Sequence, residues 1–214
     1  MLLCASSLVL ADDSVPRYFS AKPGALVKAK THLAAGDKQL AKALKKLIAD
    51  ADKALTEVPP SVTGKEKLPP SGDKHDYMSL APYFWPNPET KNGLPYVRHD
   101  GKVNPESRDP KANDSPAIKI MGDNVETLAL AYFFTGNEAY AEGAAKVART
   151  WFLDPTTRMN PHLNYAQAIM GVNDGRGTGI LEALNLSVAV DALGLIANSK
   201  AWPEGDQKAL KEWL

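Results

Sequence analysis

Apolar residues recur at helical spacing over several stretches of the chain, and prolines, glycines and aromatics fill the gaps between them. From Pro23 to Glu57 the sequence reads as helix. Leu40, Leu44, Leu47, Ile48, Ala51, Leu55 and Val58 fall at helical spacing, and Asp37 after Gly36 is placed to act as an N-cap. Lys42, Lys45, Lys46 and Lys53 supply the polar side, a charge run that reads as a solvated helix surface. Helix resumes with Ser115 as N-cap and Pro116 at the first helical position. Ile118, Met121, Val125, Leu128 and Tyr132 then step by 3, 4, 3 and 4. Thr135-Gly136-Asn137 closes that helix, and Asn137 caps the next, which runs to about Phe152. Thr178 to Ala197 is apolar nearly all round, the pattern of a helix buried on most sides. Pro203 opens a last helix that reaches Leu214.

Between Val58 and Pro116 neither period is sustained. Eleven of the 16 prolines lie there, and helices do not persist through them. Tyr77, Tyr83, Phe84, Trp85 and Tyr96 crowd the same stretch, whereas disordered segments are poor in aromatics. It reads as an ordered, proline-stiffened excursion packed on helices. Asp154 to Gly177, with Pro155 and Pro161, is a second irregular stretch. No strand pattern competes with these assignments. The predicted class is all-α, an incomplete (α/α) toroid of helical hairpins with long proline- and aromatic-rich loops. A solenoid of hairpins is the alternative, and no 34-residue self-similarity of the tetratricopeptide kind supports it.

Composition narrows the partners. The 214 residues suffice to bury a core, and 44% hydrophobic with 23% charged residues is ordinary for a globular chain. Twenty-five basic residues balance 25 acidic ones, so nothing global points to nucleic acid, and an anionic ligand must be met by a local cluster. No apolar run is expected to reach the ~18 residues of a membrane span. At the N-terminus, Met1 to Ala11 is apolar and ends in Val9-Leu10-Ala11 before Asp12-Asp13, the pattern of a signal remnant cleaved after Ala11. Residues 12–214 then form the domain portion. Cys4 is the only cysteine, so cleavage leaves no disulfide, thiol nucleophile or cysteine-ligated zinc. The four histidines show no metal-ligand spacing, and no metal or cofactor is predicted.

Polar, aromatic and charged residues gather in the two irregular stretches, where loops on a rigid scaffold usually carry binding groups. Aromatic faces alternating with amides and cations suit a sugar chain, because pyranose rings stack on aromatics while Asn, Gln and Arg satisfy hydroxyls and carboxylates. The candidates are His75, Tyr77, Trp85 and Arg98 in the first stretch, and Asn160, Asn164, Tyr165, Gln167 and Arg176 in the second. Five of them have a structural alternative. His75 and Tyr77 would pin the loop, Trp85 would anchor packing, Arg98 would pair with Asp100, and Arg176 would cap a helix. If the chain is helical from Pro161, Asn160, Asn164 and Gln167 share one face at spacings of 4 and 3. Tyr165 is the local candidate for proton transfer. The acids Asp76, Asp100, Glu106 and Asp109 interleave with the cations and imply internal pairs. Asn185 and Asp191 are expected to make helix-to-helix hydrogen bonds, and Trp151, Trp202 and Trp213 read as core.

Four blocks carry a resemblance: KHDYMSLAPYFWPNP, GLPYVRHDGKVNPE, LALAYFFTGNEAYAEGAAKVARTWFLDP and TRMNPHLNYAQAIMGVNDGRGTGI. In this order they resemble the alginate lyase superfamily of α/α-toroid polysaccharide lyases, over roughly Leu26 to Leu214. The resemblance implies β-elimination on uronic-acid polymers such as alginate or glucuronan, in an exported bacterial enzyme of the periplasm or beyond. Elimination needs the uronate carboxylate neutralised, a base for the C5 proton and an acid for the leaving oxygen. The resemblance implies an Asn-His pair, a later Tyr and an Arg for these roles. No Asn-His dipeptide occurs here, so they are expected beyond Leu214, and the 214-residue piece is expected to supply the binding cleft and to be inactive alone. An open toroid would also leave apolar helices facing water, which predicts self-association. Two alternatives remain. A glycoside hydrolase on an α/α barrel needs two cleft carboxylates, with Asp76 and Asp100 or Asp109 as candidates. A non-catalytic helical protein would bind polyuronate without turnover.

Overall fold

Gly36 and Asp37 divide the first apolar stretch into two helices. In the computed structural model, which describes residues 16–22 and 24–214, α1 spans Ala25–Ala34 and α2 spans Lys38–Thr56. Gly36 takes a left-handed φ of 88°, and the Asp37 carboxylate accepts the backbone N–H groups of Gln39 and Leu40 at 2.9 and 3.0 Å. The signal-like segment and Cys4 lie outside the described residues.

The centre of the fold is α3 (Ser115–Thr135), which buries Ile118, Met121, Val125 and Leu128 completely. It packs against α2, against α4 (Glu138–Ala148) and against α5 (Ala183–Leu193). Asn137 caps α4 through the N–H of Ala139. The helix then widens into a π turn at Arg149–Leu153, which sends Trp151 and Phe152 into the core. Trp202 is buried as expected, while Trp213, on α6 (Glu204–Trp213), is half-buried and donates its indole N–H to the Met159 carbonyl at 2.8 Å.

About half the chain is helical, and the all-α expectation is corrected by four short strands. β1 (Met78–Leu80) runs parallel to β4 (Tyr165–Ala168), and β2 (Phe84–Trp85) pairs antiparallel with β3 (Val97–Arg98). Segments this short show no alternation to read, and in the proline-rich excursion a strand partner satisfies backbone groups that a helix cannot.

A second correction concerns 177–197. Gly177–Ile196 is, by length and composition alone, long and apolar enough to cross a membrane, contrary to expectation. Here it is divided into a 3-10 turn (Gly177–Glu182), α5 and another 3-10 turn (Gly194–Ile196), with one side packed on α3. Its other side is open rather than buried: Ile180, Leu181 and Leu184 are 67%, 59% and 65% exposed, because α3 covers a single face and no other described element covers the opposite one.

Asn185 and Asp191 do not bridge helices. Asn185 donates to the Glu182 carbonyl of its own turn at 3.3 Å. Asp191 instead holds the N-terminal segment, accepting the N–H groups of Phe19 and Ser20 at 2.8 and 2.7 Å and the Ser20 hydroxyl at 2.7 Å. Gly194 permits this approach, since a Cβ there would meet the Arg17 carbonyl oxygen at 1.8 Å. Asp191→Ala is therefore expected to remove about 1–3 kcal/mol of local stability and to speed tryptic cleavage after Arg17. An unchanged cleavage rate would show that other contacts hold the segment.

Candidate functional site

A buried cation builds the floor on which the site rests. The Lys65 ammonium donates to the carbonyls of Val62, Lys74 and Asp76 at 2.7, 2.8 and 3.0 Å and pairs with Asp114 Oδ2 at 3.0 Å. The same carboxylate oxygen accepts the Met78 N–H at 2.9 Å, and the Asp114 N–H returns a bond to the Met78 carbonyl at 2.8 Å. Asp114, not Ser115, precedes α3, and its side chain fixes β1 rather than capping the helix. Burial pushes the Asp114 carboxyl up to about 6, although Lys65 and the Met78 N–H both pull it down.

β4 lies beside β1 with Ala166 and Ala168 buried and Tyr165 and Gln167 half-exposed. Gln167 holds a left-handed φ of 53°, a conformation non-glycine residues adopt at a cost and one that clusters at functional sites. Its N–H donates to the Ser79 hydroxyl at 2.8 Å, which secures the turn. The following loop folds back tightly, with the Arg176 N–H on the Ala166 carbonyl at 3.1 Å. Gly179 packs on Ala166, where a Cβ would approach the alanine Cβ to 2.5 Å. The result aims Arg176 across the strand: its Nη2 donates to Gln167 Oε1 at 2.8 Å, and its guanidinium sits 5.5 Å from the centre of the Phe84 ring.

Glu182 closes the group. Its carboxylate accepts the Tyr77 hydroxyl at 3.0 Å and the Ser79 hydroxyl at 3.4 Å. Burial, reinforced by the Glu182 charge, pushes the Tyr77 phenol well above its ordinary value, so it stays a hydrogen-bond donor. Above these residues opens a cleft of about 160 Å³, walled by Arg108, Lys119, Gln167, Glu182 and Asn185 with Leu80 and Pro82 as its apolar part. Lys119 also reaches Asp123 at 2.5 Å, while Arg108 is exposed at the rim. The cleft thus offers cations, amides and one carboxylate within a single small volume. A larger groove, about 580 Å³, runs between the N-terminal segment, α5 and α6. It is lined mainly by apolar side chains such as Phe19, Val190, Leu193 and Leu210, and suits a polyhydroxylated anion poorly.

Of the residues picked from sequence, Gln167 lines this cleft, Arg176 bonds to Gln167, and Tyr165 stands two positions along the same strand. The shared helical face of Asn160, Asn164 and Gln167 does not form, because 165–168 is a strand and the residues before it are irregular. Asn160 turns instead to Asp76 and Asp73, donating at 2.6 and 3.0 Å, and Asn164 is exposed. Asp76 also accepts from Ser71 at 2.7 Å and faces His162 Nε2 at 3.0 Å, so this cluster ties the two irregular stretches together. His75 does the same through Arg158, its Nδ1 lying 2.6 Å from the carbonyl.

Tyr77 is fully buried and reaches the cleft only through Glu182. Trp85 donates its indole N–H to the Lys102 carbonyl at 2.9 Å and meets the His99 ring edge-on, the packing alternative weighed for it. Arg98 pairs with Asp100 at 2.8 Å on the surface, and neither lines the cleft. Glu106 is likewise internal, bound by the Tyr96 hydroxyl and Lys67, both at 2.6 Å, and burial together with the Glu106 carboxylate pushes the Tyr96 phenol up to about 12. Sequence reasoning passed over Arg108, Lys119 and Glu182. Glu182 sits inside an apolar run, where it reads as one polar position on a core helix. Among the described residues no three His, Cys, Asp or Glu side chains converge as metal ligands.

Comparison with known proteins gives a consistent result. The family model described as Alginate lyase matches residues 61–214. The crystal structure of an alginate lyase from Bacteroides ovatus matches with a TM-score of 0.84 and 44% sequence identity, covering 94% of this chain and 51% of that one. The chain therefore spans about half the length of that relative. No curated protein matches.

Proposed function

The chain belongs to the alginate lyase family, and on that premise we propose that it serves a polysaccharide lyase, binding a uronic-acid polymer such as alginate or glucuronan for β-elimination. The observation that carries this reading is the cleft itself, in which Arg108 and Lys119 stand beside the Asn185 amide and Gln167, the latter bonded in turn to Arg176. The C5 proton of a uronate becomes removable once the adjacent carboxylate is neutralised, and guanidinium, ammonium and amide donors supply that neutralisation. The role assigned to these residues is binding and charge neutralisation. Tyr165, half-exposed on β4 two positions from Gln167, is the candidate for proton transfer within this chain. In this reading the helices belong to a toroid of which the chain forms one part. A polyuronate is met outside the cytoplasm, and the apolar Met1–Ala11 segment supports export to the periplasm or beyond.

Hydrolysis fits less well. It needs two carboxylates at a set separation, and among the described residues the cleft has Glu182 alone. The carboxylates proposed from sequence are engaged elsewhere: Asp76 with Asn160 and Ser71, Asp100 with Arg98, and Asp109 with the Lys111 N–H at 2.9 Å.

The test is incubation of the protein with mannuronan, guluronan and glucuronan, following the ultraviolet absorbance of the C4–C5 double bond, with calorimetric binding in parallel. Lysis or saturable binding of at least one polymer is expected. New reducing ends without that absorbance would establish a hydrolase instead, and neither binding nor lysis would sink the proposal. Arg176→Ala is expected to weaken uronate binding by about 1.5–3 kcal/mol, the range for a hydrogen bond to a charged group. Wild-type affinity in that variant would remove Arg176 from the site.

A further inference from the structure

A carboxylate inside a cleft meant for a polyanion calls for a reason. Every residue of a polyuronate brings a negative charge, so Glu182 would repel the ligand unless it met another part of the sugar. Its surroundings hold it in place. Tyr77 and Ser79 donate to its two oxygens, one each, and both donors come from fully buried residues on the protein side. The Ser79 hydroxyl accepts the Gln167 N–H, so its own proton is committed to Glu182. Close packing of Gly179 on Ala166 fixes the turn that presents the side chain. The remaining lone pairs of this carboxylate stand ready for donors from the ligand, in a preorganised position.

A uronate ring has two unlike edges, a carboxylate and a pair of vicinal hydroxyls. Cations suit the first, and an ionised carboxylate suits the second because it accepts from two neighbouring O–H groups at once. Resting on the lyase reading above, we propose that Glu182 is a specificity-determining residue that accepts the vicinal hydroxyls of the bound uronate and so turns its carboxylate toward Arg108 and Lys119. The substrate class is then the uronate with free ring hydroxyls. Acylation of those hydroxyls removes both ligand donors and leaves the remaining lone pairs of Glu182 desolvated and unmatched. A site built around a substrate hydroxyl discriminates strongly against the analogue that lacks it.

The experiment compares binding of a uronate oligosaccharide with binding of the same oligosaccharide acetylated on its ring hydroxyls, by calorimetry on the wild-type chain and on Glu182→Gln. The wild type is expected to prefer the free form by at least about 100-fold. Glu182→Gln retains an acceptor for Tyr77 and is expected to keep the wild-type unfolding midpoint, while its preference falls below about tenfold through lost affinity for the free form. Tyr77→Phe serves as the second variant. It removes a support without touching the ligand and should keep a clear preference for the free form. Equal binding of the two oligosaccharides by the wild type would overturn the proposal, as would an undiminished preference in Glu182→Gln. Failure of the wild type to bind either form would instead overturn the lyase reading, and this proposal with it.

Discussion

Replacement of Lys65 by Met is expected to lower folding stability by about 3–5 kcal/mol, the range for a buried ion pair deprived of one partner. Three backbone carbonyls and the Asp114 carboxylate all lose their donor in that variant. The loss should also depend on pH, and its sign follows from Asp114. In the folded protein burial keeps that carboxyl protonated up to about pH 6, whereas the unfolded chain releases the proton near 4. Its contribution to stability is thus fully present below about pH 4 and is lost as pH rises through about 6, a difference of about 3 kcal/mol. Removing Lys65 takes away an attraction that lowers this value, so Asp114 will hold its proton to still higher pH. The destabilisation is therefore expected to be larger at pH 8 than at pH 5. Urea midpoints of both proteins at the two pH values measure it, and equal losses at both would show that the pair is not what links Lys65 to the fold.

A second large effect is expected from Gly175→Ala. A Cβ at this position would lie 2.0 Å from the Asn164 carbonyl oxygen, 2.9 Å from its carbon and 3.0 Å from the Tyr165 Cα. All three are backbone atoms, so relief requires moving the start of β4 or the loop that carries Arg176. Overpacking of this kind costs about 1–3 kcal/mol and more when the backbone is the obstacle. On the proposed function, uronate affinity should fall as well, because Tyr165, Gln167 and Arg176 move together. Gly177→Ala is the matched comparison, since nothing lies within 4 Å of its added carbon. That variant is expected to leave stability unchanged or raised by about 0.4–1 kcal/mol. Similar unfolding midpoints for the two variants would mean that the close approach at Gly175 is not a constraint.

Much of the helical frame was legible because its signals are local. Asp37 and Asn137 cap helices that begin at the very next residue, and the steps from Ile118 to Leu128 mark a face that is wholly buried. The strands were not legible. β1 and β4 have three and four residues, and their partners stand 87 positions apart, Met78 opposite Tyr165. No window of sequence contains both. The candidate site suffered similarly. Gln167 and Arg176 were picked out by residue type and loop position, and the structure joins them. Asn160 falls on a face of a helical period that the pairing of β4 with β1 and the Asp76 hydrogen bond prevent. Glu182 acquires its chemistry from Tyr77 and Ser79, 105 and 103 residues earlier, so nothing in its own neighbourhood announces it.

The same long separations govern how the cleft comes into being. Helices and the α3–α4 hairpin bring together neighbours in sequence and close small loops, whereas the β1–β4 pairing and the Glu182 contacts must wait for the chain to fold back across α3. The cleft has no local precursor, since its walls come from residues 80–82, 107–119 and 167–185, and it vanishes when any of these detaches. On the proposed function, a sugar held there would act as a clasp on the whole domain, its binding energy returned as resistance of the entire fold to unfolding.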